Sequence, residues 1–336
     1  MPAPASETRS AAPAAPPRDD LIVVAGQGRS GTNWLLDLFD AHAGTRCRSE
    51  VDELPGSALS ELPSPLFRAS AADLTEDAWW SAVNHAMRHE GTRDHAPVAP
   101  KSWSPGGVRG LGLGEFTRRR RPRRLLRMAM PMLREAEWPV PAMLAGSIGD
   151  ARPVLKFVQT PGWIDWLLRT QPAVNIVHIV RDPAAFLDSW QRRYVARNRP
   201  PAVLDANRAR LHRLAALEPT WAERMGDPEA MGLEESELWY WRYATELSHA
   251  ASAGRDRYEL VSYEAIVADP VAVTRSLYAA TGLEWAADIE TRVRRLIRSG
   301  PPRAPKMTAE REAAVARVTA DFDLGLGWGG AGGGHG

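Results

Sequence analysis

The tightest constraint on the fold lies in LIVVAGQGRSGTNWLLDLFDAH, residues 21–42. Leu21 to Ala25 is a short β-rich apolar run, and Trp34, Leu35, Leu38 and Phe39 recur at helical spacing, so the segment predicts strand, tight loop and helix. The loop is Gly26-Gln27-Gly28-Arg29-Ser30-Gly31-Thr32-Asn33. Its glycines let the backbone turn sharply and aim N–H groups at one point, and the next helix adds its positive N-terminal end. A loop of this kind binds a phosphate-like anion.

It departs from a nucleoside-triphosphate loop of the Walker type. That loop needs Lys and then Ser or Thr after its last glycine, for the terminal phosphates and Mg²⁺ respectively, and Thr32 and Asn33 stand in those places. The cation has moved into the loop as Arg29, which suits an anion arriving without a metal.

A second signal comes at residues 174–190, VNIVHIVRDPAAFLDSW. Val174 to Val180 reads as a strand buried on both faces, Asp182 as a helix N-cap and Pro183 as a first helical residue. Arg181 then sits at a strand's carboxyl end and Ser189 about two turns into the following helix. In an open parallel sheet ligands bind at those carboxyl ends, which puts the pair on the same edge as the glycine loop. Taken alone, each piece also suits a plain capped turn or connector.

Together, Arg29-Ser30-Gly31-Thr32 and Arg181-Asp182-Pro183 with Ser189 resemble the two phosphate motifs of sulfotransferases that use 3′-phosphoadenosine 5′-phosphosulfate (PAPS). The resemblance covers roughly residues 20–300 and is nearest to the carbohydrate and tyrosylprotein branches. It implies an α/β fold, with a P-loop-type central parallel β-sheet flanked by helices on both faces. It also implies that Gly28, Arg29, Ser30, Gly31, Thr32 and Asn33 hold the 5′-phosphosulfate, while Arg181 and Ser189 select the 3′-phosphate. A strand ending in Tyr-Glu before a helix closes the cofactor side in the family, which brings in Tyr263. Glu50, at the end of a second strand after Arg46-Cys47, matches the family's general base, with Asp52 and Glu53 as rivals. Lys156 in VLKFVQT matches a lysine that contacts the bridging oxygen or the sulfuryl group, and Gln159 stands where the family has arginine. Arg29, Glu50 and Lys156 are thus the expected catalytic residues. Arg298-Ser299-Gly300 faintly echoes a further 3′-phosphate element.

Composition bounds the rest. With 44% hydrophobic and 25% charged residues and a net charge of +1, the chain is ordinary globular material without global attraction to nucleic acid or membrane. The lone Cys47 excludes an internal disulfide, and no apolar run of membrane-spanning length occurs. Set beside the resemblance, in which animal Golgi members carry a membrane anchor, these features lead us to expect a bacterial, cytoplasmic enzyme; arginine far exceeding lysine suggests a GC-rich genome, and a sugar, a phenol or a secondary-metabolism hydroxyl would fit as acceptor. Residues 1–18 are expected to be disordered, 19–324 to form one domain with a variable acceptor-binding or lid region over 56–150, and 325–336 to be a glycine-rich tail.

Within that variable region Ala78 to Arg88 reads as a helix. His85, His89 and His95 invite a zinc reading, but Ala86 replaces the glutamate a zinc-protease helix carries after its first histidine, which favours solvated histidines. Ser104 to Gly114 could be a mobile loop, and the basic run Arg118–Arg124 could bind an anionic acceptor, a membrane surface or nucleic acid. Further on, Ala202 to Met225 reads as one helix, and the aromatic cluster Trp239, Tyr240, Trp241 and Tyr243 as core. The expected co-substrate is PAPS without a metal. The expected partner is a small-molecule or glycan acceptor bearing a free hydroxyl, with no nucleic acid and no stable membrane insertion. The acceptor's identity and the oligomeric state are not legible. Two other classes stay open: a P-loop kinase using ATP, and a non-catalytic anion- or nucleic-acid-binding module.

Overall fold

The computed structural model describes residues 20–54, 56–62, 65–88, 101, 151–297, 304–326 and 328. Five strands, β1 (Ile22–Gly26), β2 (Thr45–Ser49), β3 (Arg152–Val158), β4 (Asn175–Val180) and β5 (Tyr258–Ser262), form one sheet in the order β2-β3-β1-β4-β5. Every pairing is parallel. The chain runs outward from central β1 to edge strand β2, returns to β3 between them, and then crosses to β4 on the other side of β1. This change of direction beside β1 is where a doubly wound sheet opens its ligand crevice.

Side chains alternate along the strands and build a separate core on each face. Val23, Ala25, Leu155, Phe157 and Ile176 pack with Trp79 and Val83 of α2 (Glu76–Arg88) and with Trp163 and Leu167 of α3 (Pro161–Thr170). Ile22, Val24, Val154, Val177 and Ile179 pack on the opposite face. There they meet Leu35 and Leu38 of α1 (Thr32–Asp40), Leu277 of α9 (Pro270–Thr281) and Val293 of α10 (Ala287–Leu296). A short α8 (Tyr263–Ala268) precedes α9.

A third core, built mainly of helices and without strand residues, lies beyond the sheet. It joins α4 (Pro183–Arg193), α5 (Pro200–Leu217), α6 (Pro219–Met225), α7 (Leu233–Ala251) and α11 (Ala309–Thr319) through residues such as Phe186, Trp190, Leu211, Trp221 and Leu238. Trp239, Tyr240, Trp241 and Tyr243 are all buried there, as the aromatic pattern predicts.

The expected helix over 202–225 is two helices, α5 and α6. Pro219 lacks the N–H that would continue the ladder and disfavours a helical Glu218, whose φ is −136°. Asp182 caps α4 as the sequence implies, its side chain accepting from the Ala185 N–H at 2.8 Å. Gly162, in the first turn of α3, is dictated by a close crossing: a Cβ there would lie 2.1 Å from the Phe67 carbonyl oxygen.

Candidate active site

The loop after β1 turns through two left-handed residues, Arg29 (φ 77°) and Gly31 (φ 101°), and the Ser30 N–H closes back onto Gln27 O at 3.1 Å. Glycine is needed at 31 twice over, because a Cβ there would also lie 2.6 Å from the Tyr263 ring. Thr32 and Asn33 open α1, which has no side-chain cap and no acidic residue in its first turn. The first N–H groups and the positive end of the helix are therefore left for an anion. Ser30 is fully buried and its hydroxyl has no partner among the described residues. Burying a hydroxyl without a partner is costly, so its place is rational where a ligand supplies the acceptor.

Arg29 ties this loop to the helix that follows β4, its Nε donating to Ser189 Oγ at 3.2 Å. Arg181 donates from Nη1 to the Arg29 carbonyl at 3.1 Å and sits over Tyr263, with Cζ 4.1 Å from the ring centroid. Tyr263 is stacked in turn on Trp34 at 5.2 Å. Burial pulls the Arg181 pKa below its ordinary value, opposed by Tyr263 and Glu264, and its Nε is buried without a partner among the described residues. Glu264 accepts the Asp182 N–H at 3.2 Å, and burial raises its carboxyl pKa. The two motifs, some 150 residues apart in sequence, thus form one continuous cationic surface.

On the β3 side stands a lysine–carboxylate pair. Lys156 Nζ donates to Glu50 Oε1 at 3.0 Å and to Asn33 Oδ1 at 2.6 Å. The Lys156 side chain is 2% exposed, whereas that of Glu50 is 45% exposed and faces solvent from the strand edge. Glu50 is fixed a second time, its N–H donating to Lys156 O at 2.9 Å, and it too is left-handed, with φ 52°. Asp52 and Glu53 follow in the short turn Val51–Glu53, and the carboxylate that Lys156 holds is Glu50. Such a site can bind a polyanion at two points and present a carboxylate beside one of them.

The residues singled out as site groups and described here gather at the carboxyl edge of the sheet. Two details differ from the sequence reading. Trp34 is 37% exposed rather than core, because the buried face of α1 is Leu35, Leu36, Leu38 and Phe39, and residue 34 lies one step round the helix. Asn33 acts through its side chain, which the loop pattern did not foretell. Lys156 and Asn33 are 123 residues apart, so nothing local could have paired them. His85 lies on α2, but His89, His95, Ser104–Gly114, Arg118–Arg124 and Arg298–Gly300 lie outside the described residues, and so do residues 1–18 and most of 325–336. No helix among the described residues is long and apolar enough to cross a membrane.

Residues 22–287 match a family model described as "Sulfotransferase family". Carbohydrate sulfotransferase 5 of Mus musculus is 32% identical over 152 residues, which are 44% of this chain and 35% of that protein. Carbohydrate sulfotransferase 6 of Homo sapiens is 30% identical over 144 residues, 41% of this chain and 32% of that protein. The matched region spans about a third of the length of these curated relatives. Among solved structures, a sulfotransferase from Alicyclobacillus acidocaldarius aligns over 89% of this chain and 94% of its own, with TM-score 0.39 and 15% identity. The sulfotransferase STF9 from Mycobacterium avium aligns over 91% and 76%, with TM-score 0.41 and 16% identity.

Proposed function

This chain belongs to the sulfotransferase family, and from that premise we propose that it transfers the sulfuryl group of PAPS to a hydroxyl of a small-molecule or carbohydrate acceptor. One observation carries the reading. A single surface offers two anion sites that share Arg29, with a lysine–carboxylate pair beside the first. A nucleotide with a 5′-phosphosulfate and a 3′-phosphate has two anionic ends to fill them. The residues fit such a group on their own chemistry: Ser30 Oγ and Arg181 Nε are buried donors that lack acceptors among the described residues.

In this reading the N–H groups of residues 28–33, with Arg29, Ser30 and Thr32, hold the 5′-phosphosulfate. Arg181 and Ser189 hold the 3′-phosphate, and the Tyr263 ring supports the Arg181 guanidinium. Glu50 takes the proton of the acceptor hydroxyl as its oxygen forms a bond to sulfur. The bond from sulfur to the bridging oxygen breaks, and adenosine 3′,5′-bisphosphate leaves with that oxygen's electron pair. Lys156 and Arg29 neutralise the charge that gathers there, and Glu50 then yields its proton to water. As in phosphoryl transfer, positioning and charge stabilisation do most of the work.

Asn33 bears on the kinase alternative. It stands where a Walker loop has a metal-binding hydroxyl, yet its side-chain oxygen already accepts from Lys156. The Lys156 ammonium thus meets the residue 33 side chain where such a loop would hold the metal.

The deciding measurement is calorimetric titration with adenosine 3′,5′-bisphosphate, ATP and AMP on wild type and Arg181→Ala. The bisphosphate is expected to bind far more tightly than AMP, and Arg181→Ala to erase that preference. Equal or tighter binding of ATP would overturn the reading in favour of the kinase.

A further inference from the structure

The carboxyl ends of β2, β3 and β1, neighbours in the sheet, each carry a non-glycine residue with left-handed backbone: Glu50, Gln159 (φ 58°) and Arg29. Residues with a Cβ avoid this conformation, and where it persists it clusters at functional sites. Glu50 and Arg29 already have places in the site. Gln159, one residue beyond β3, has none.

Its backbone is pinned by an N–H bond to Gly26 O at 3.2 Å, and its side chain is thereby held against the loop. A Cβ built on Gly28 would lie 3.8 Å from both Cδ and Nε2 of Gln159. The same point is 3.6 Å from the Tyr194 hydroxyl, at the end of α4. Two neutral hydrogen-bond donors, from elements that pack in different cores, thus converge over one glycine of the loop. Neither the carboxamide nor the hydroxyl has a hydrogen-bond partner among the described residues. Tyr194 is 37% exposed, so its hydroxyl is open to a ligand from solvent.

We propose that Gln159 and Tyr194 are contacts for the sulfuryl end of the donor, an assignment that rests on the PAPS reading above. Place and charge both favour that end. Gly31 to Asn33 open α1, and Arg181 with Ser189 stands on the β4 side, so these serve the phosphates. Gly28 lies at the opposite end of the loop, where Gln159 follows the strand that supplies Lys156. The sulfuryl group carries a single negative charge, and in transfer that charge moves toward the leaving phosphate. A further cation at its outer oxygens would hold the ground state as firmly as the transition state, whereas neutral donors orient the group without that penalty.

The pair predicts a split between two ligands, since adenosine 3′,5′-bisphosphate lacks the sulfuryl group. Gln159→Gly, which also relieves the left-handed strain, and Tyr194→Phe should each bind the bisphosphate within about twofold of wild type by calorimetry and melt no lower than wild type. Both should lower kcat/KM for PAPS by roughly tenfold to a hundredfold, the value of a hydrogen bond to a charged group. Unchanged turnover in both variants, or bisphosphate affinity falling in step with turnover, would overturn the assignment while leaving the donor reading intact. A wild type that ignores the bisphosphate would instead remove the donor reading and this assignment with it.

Discussion

Replacing Glu50 by glutamine separates the chemistry of the carboxylate from its structural role, because the geometry gives the two very different sizes. Lys156 is almost fully buried and has two acceptors, Asn33 Oδ1 at 2.6 Å and Glu50 Oε1 at 3.0 Å. In Glu50→Gln the amide oxygen that replaces the carboxylate oxygen can still accept from the ammonium, so the hydrogen bond survives and only the charge is lost. A pair buried on both sides would cost about 3–5 kcal/mol to break. Glu50 is 45% exposed, however, and water screens the interaction, so a loss of about 1 kcal/mol is the appropriate scale. For a chain of this length that lowers the melting temperature by roughly 2–4 °C or less. A general base contributes roughly 10²–10⁴-fold to turnover, equivalent to about 3–5 kcal/mol at 1.36 kcal/mol per tenfold. The assay is PAPS-dependent sulfation under saturating acceptor, beside thermal unfolding and titration with adenosine 3′,5′-bisphosphate. Turnover should collapse, bisphosphate affinity should hold within about twofold, and the melting temperature should barely move. Turnover within about threefold of wild type would refute Glu50 as the base and send the search to Asp52 and Glu53.

The other predictions concern steric fit and pH. Gly31→Ala forces a Cβ to 2.6 Å from the Tyr263 ring at a φ of 101°, so bisphosphate binding should fall by more than about tenfold, read by calorimetry; retained affinity would show that the loop relaxes freely. Gly162→Ala drives a Cβ to 2.1 Å from Phe67 O and should cost about 2–3 kcal/mol, read as a melting temperature lower by roughly 5–10 °C. An unchanged melting temperature would mean that the 65–67 segment is not held there. His178 is buried with Nδ1 2.8 Å from the Tyr258 hydroxyl, and loss of hydration, helped by His249, pushes its pKa down to about 3. Below its ordinary value of 6.5 the unfolded chain takes up a proton that the folded chain refuses, so stability is full above that pH and falls as pH drops toward the folded value. The slope is about 1.4 kcal/mol per pH unit from this one group. Denaturant unfolding of His178→Gln between about pH 7.5 and 5 should show a flatter dependence than wild type, and an equal slope would rule His178 out as the source.

What was legible in the sequence is what the chain encodes locally. The run from Leu21 to Asn33 announces strand, anion loop and helix because glycine freedom, apolar periodicity and a helix start fall in one short stretch. Asp182-Pro183 likewise fixes where α4 begins. Contacts between distant segments left no such mark. That β3 inserts between β1 and β2 depends on pairing between segments far apart in the chain, and β3 by itself reads only as an apolar strand. Trp34 belongs to an apolar-looking helix face, yet only the position of Tyr263 makes it an exposed stacking partner. Arg46 and Arg48, in edge strand β2, are buried, against what charge alone suggests; the Arg48 Nε finds the Ala86 carbonyl at 2.8 Å, near the end of α2. The Lys156–Asn33 bond and the free polar groups of Gln159 and Tyr194 depend in the same way on tertiary placement.

Helix α4 belongs to two bodies at once, and that has a consequence for how the molecule opens. Its Phe186, Leu187 and Trp190 are rooted in the mainly helical third core, while Ser189 reaches Arg29 on the loop of the sheet. A nucleotide spanning that gap would act as a clasp between regions that could otherwise unfold separately. At about a hundredfold excess over its dissociation constant it would add about 2.7 kcal/mol to whichever opening exposes the site. Amide hydrogens of α4 and β1 should then slow together, so that exchange in two cores with no common side chain reports the arrival of one ligand.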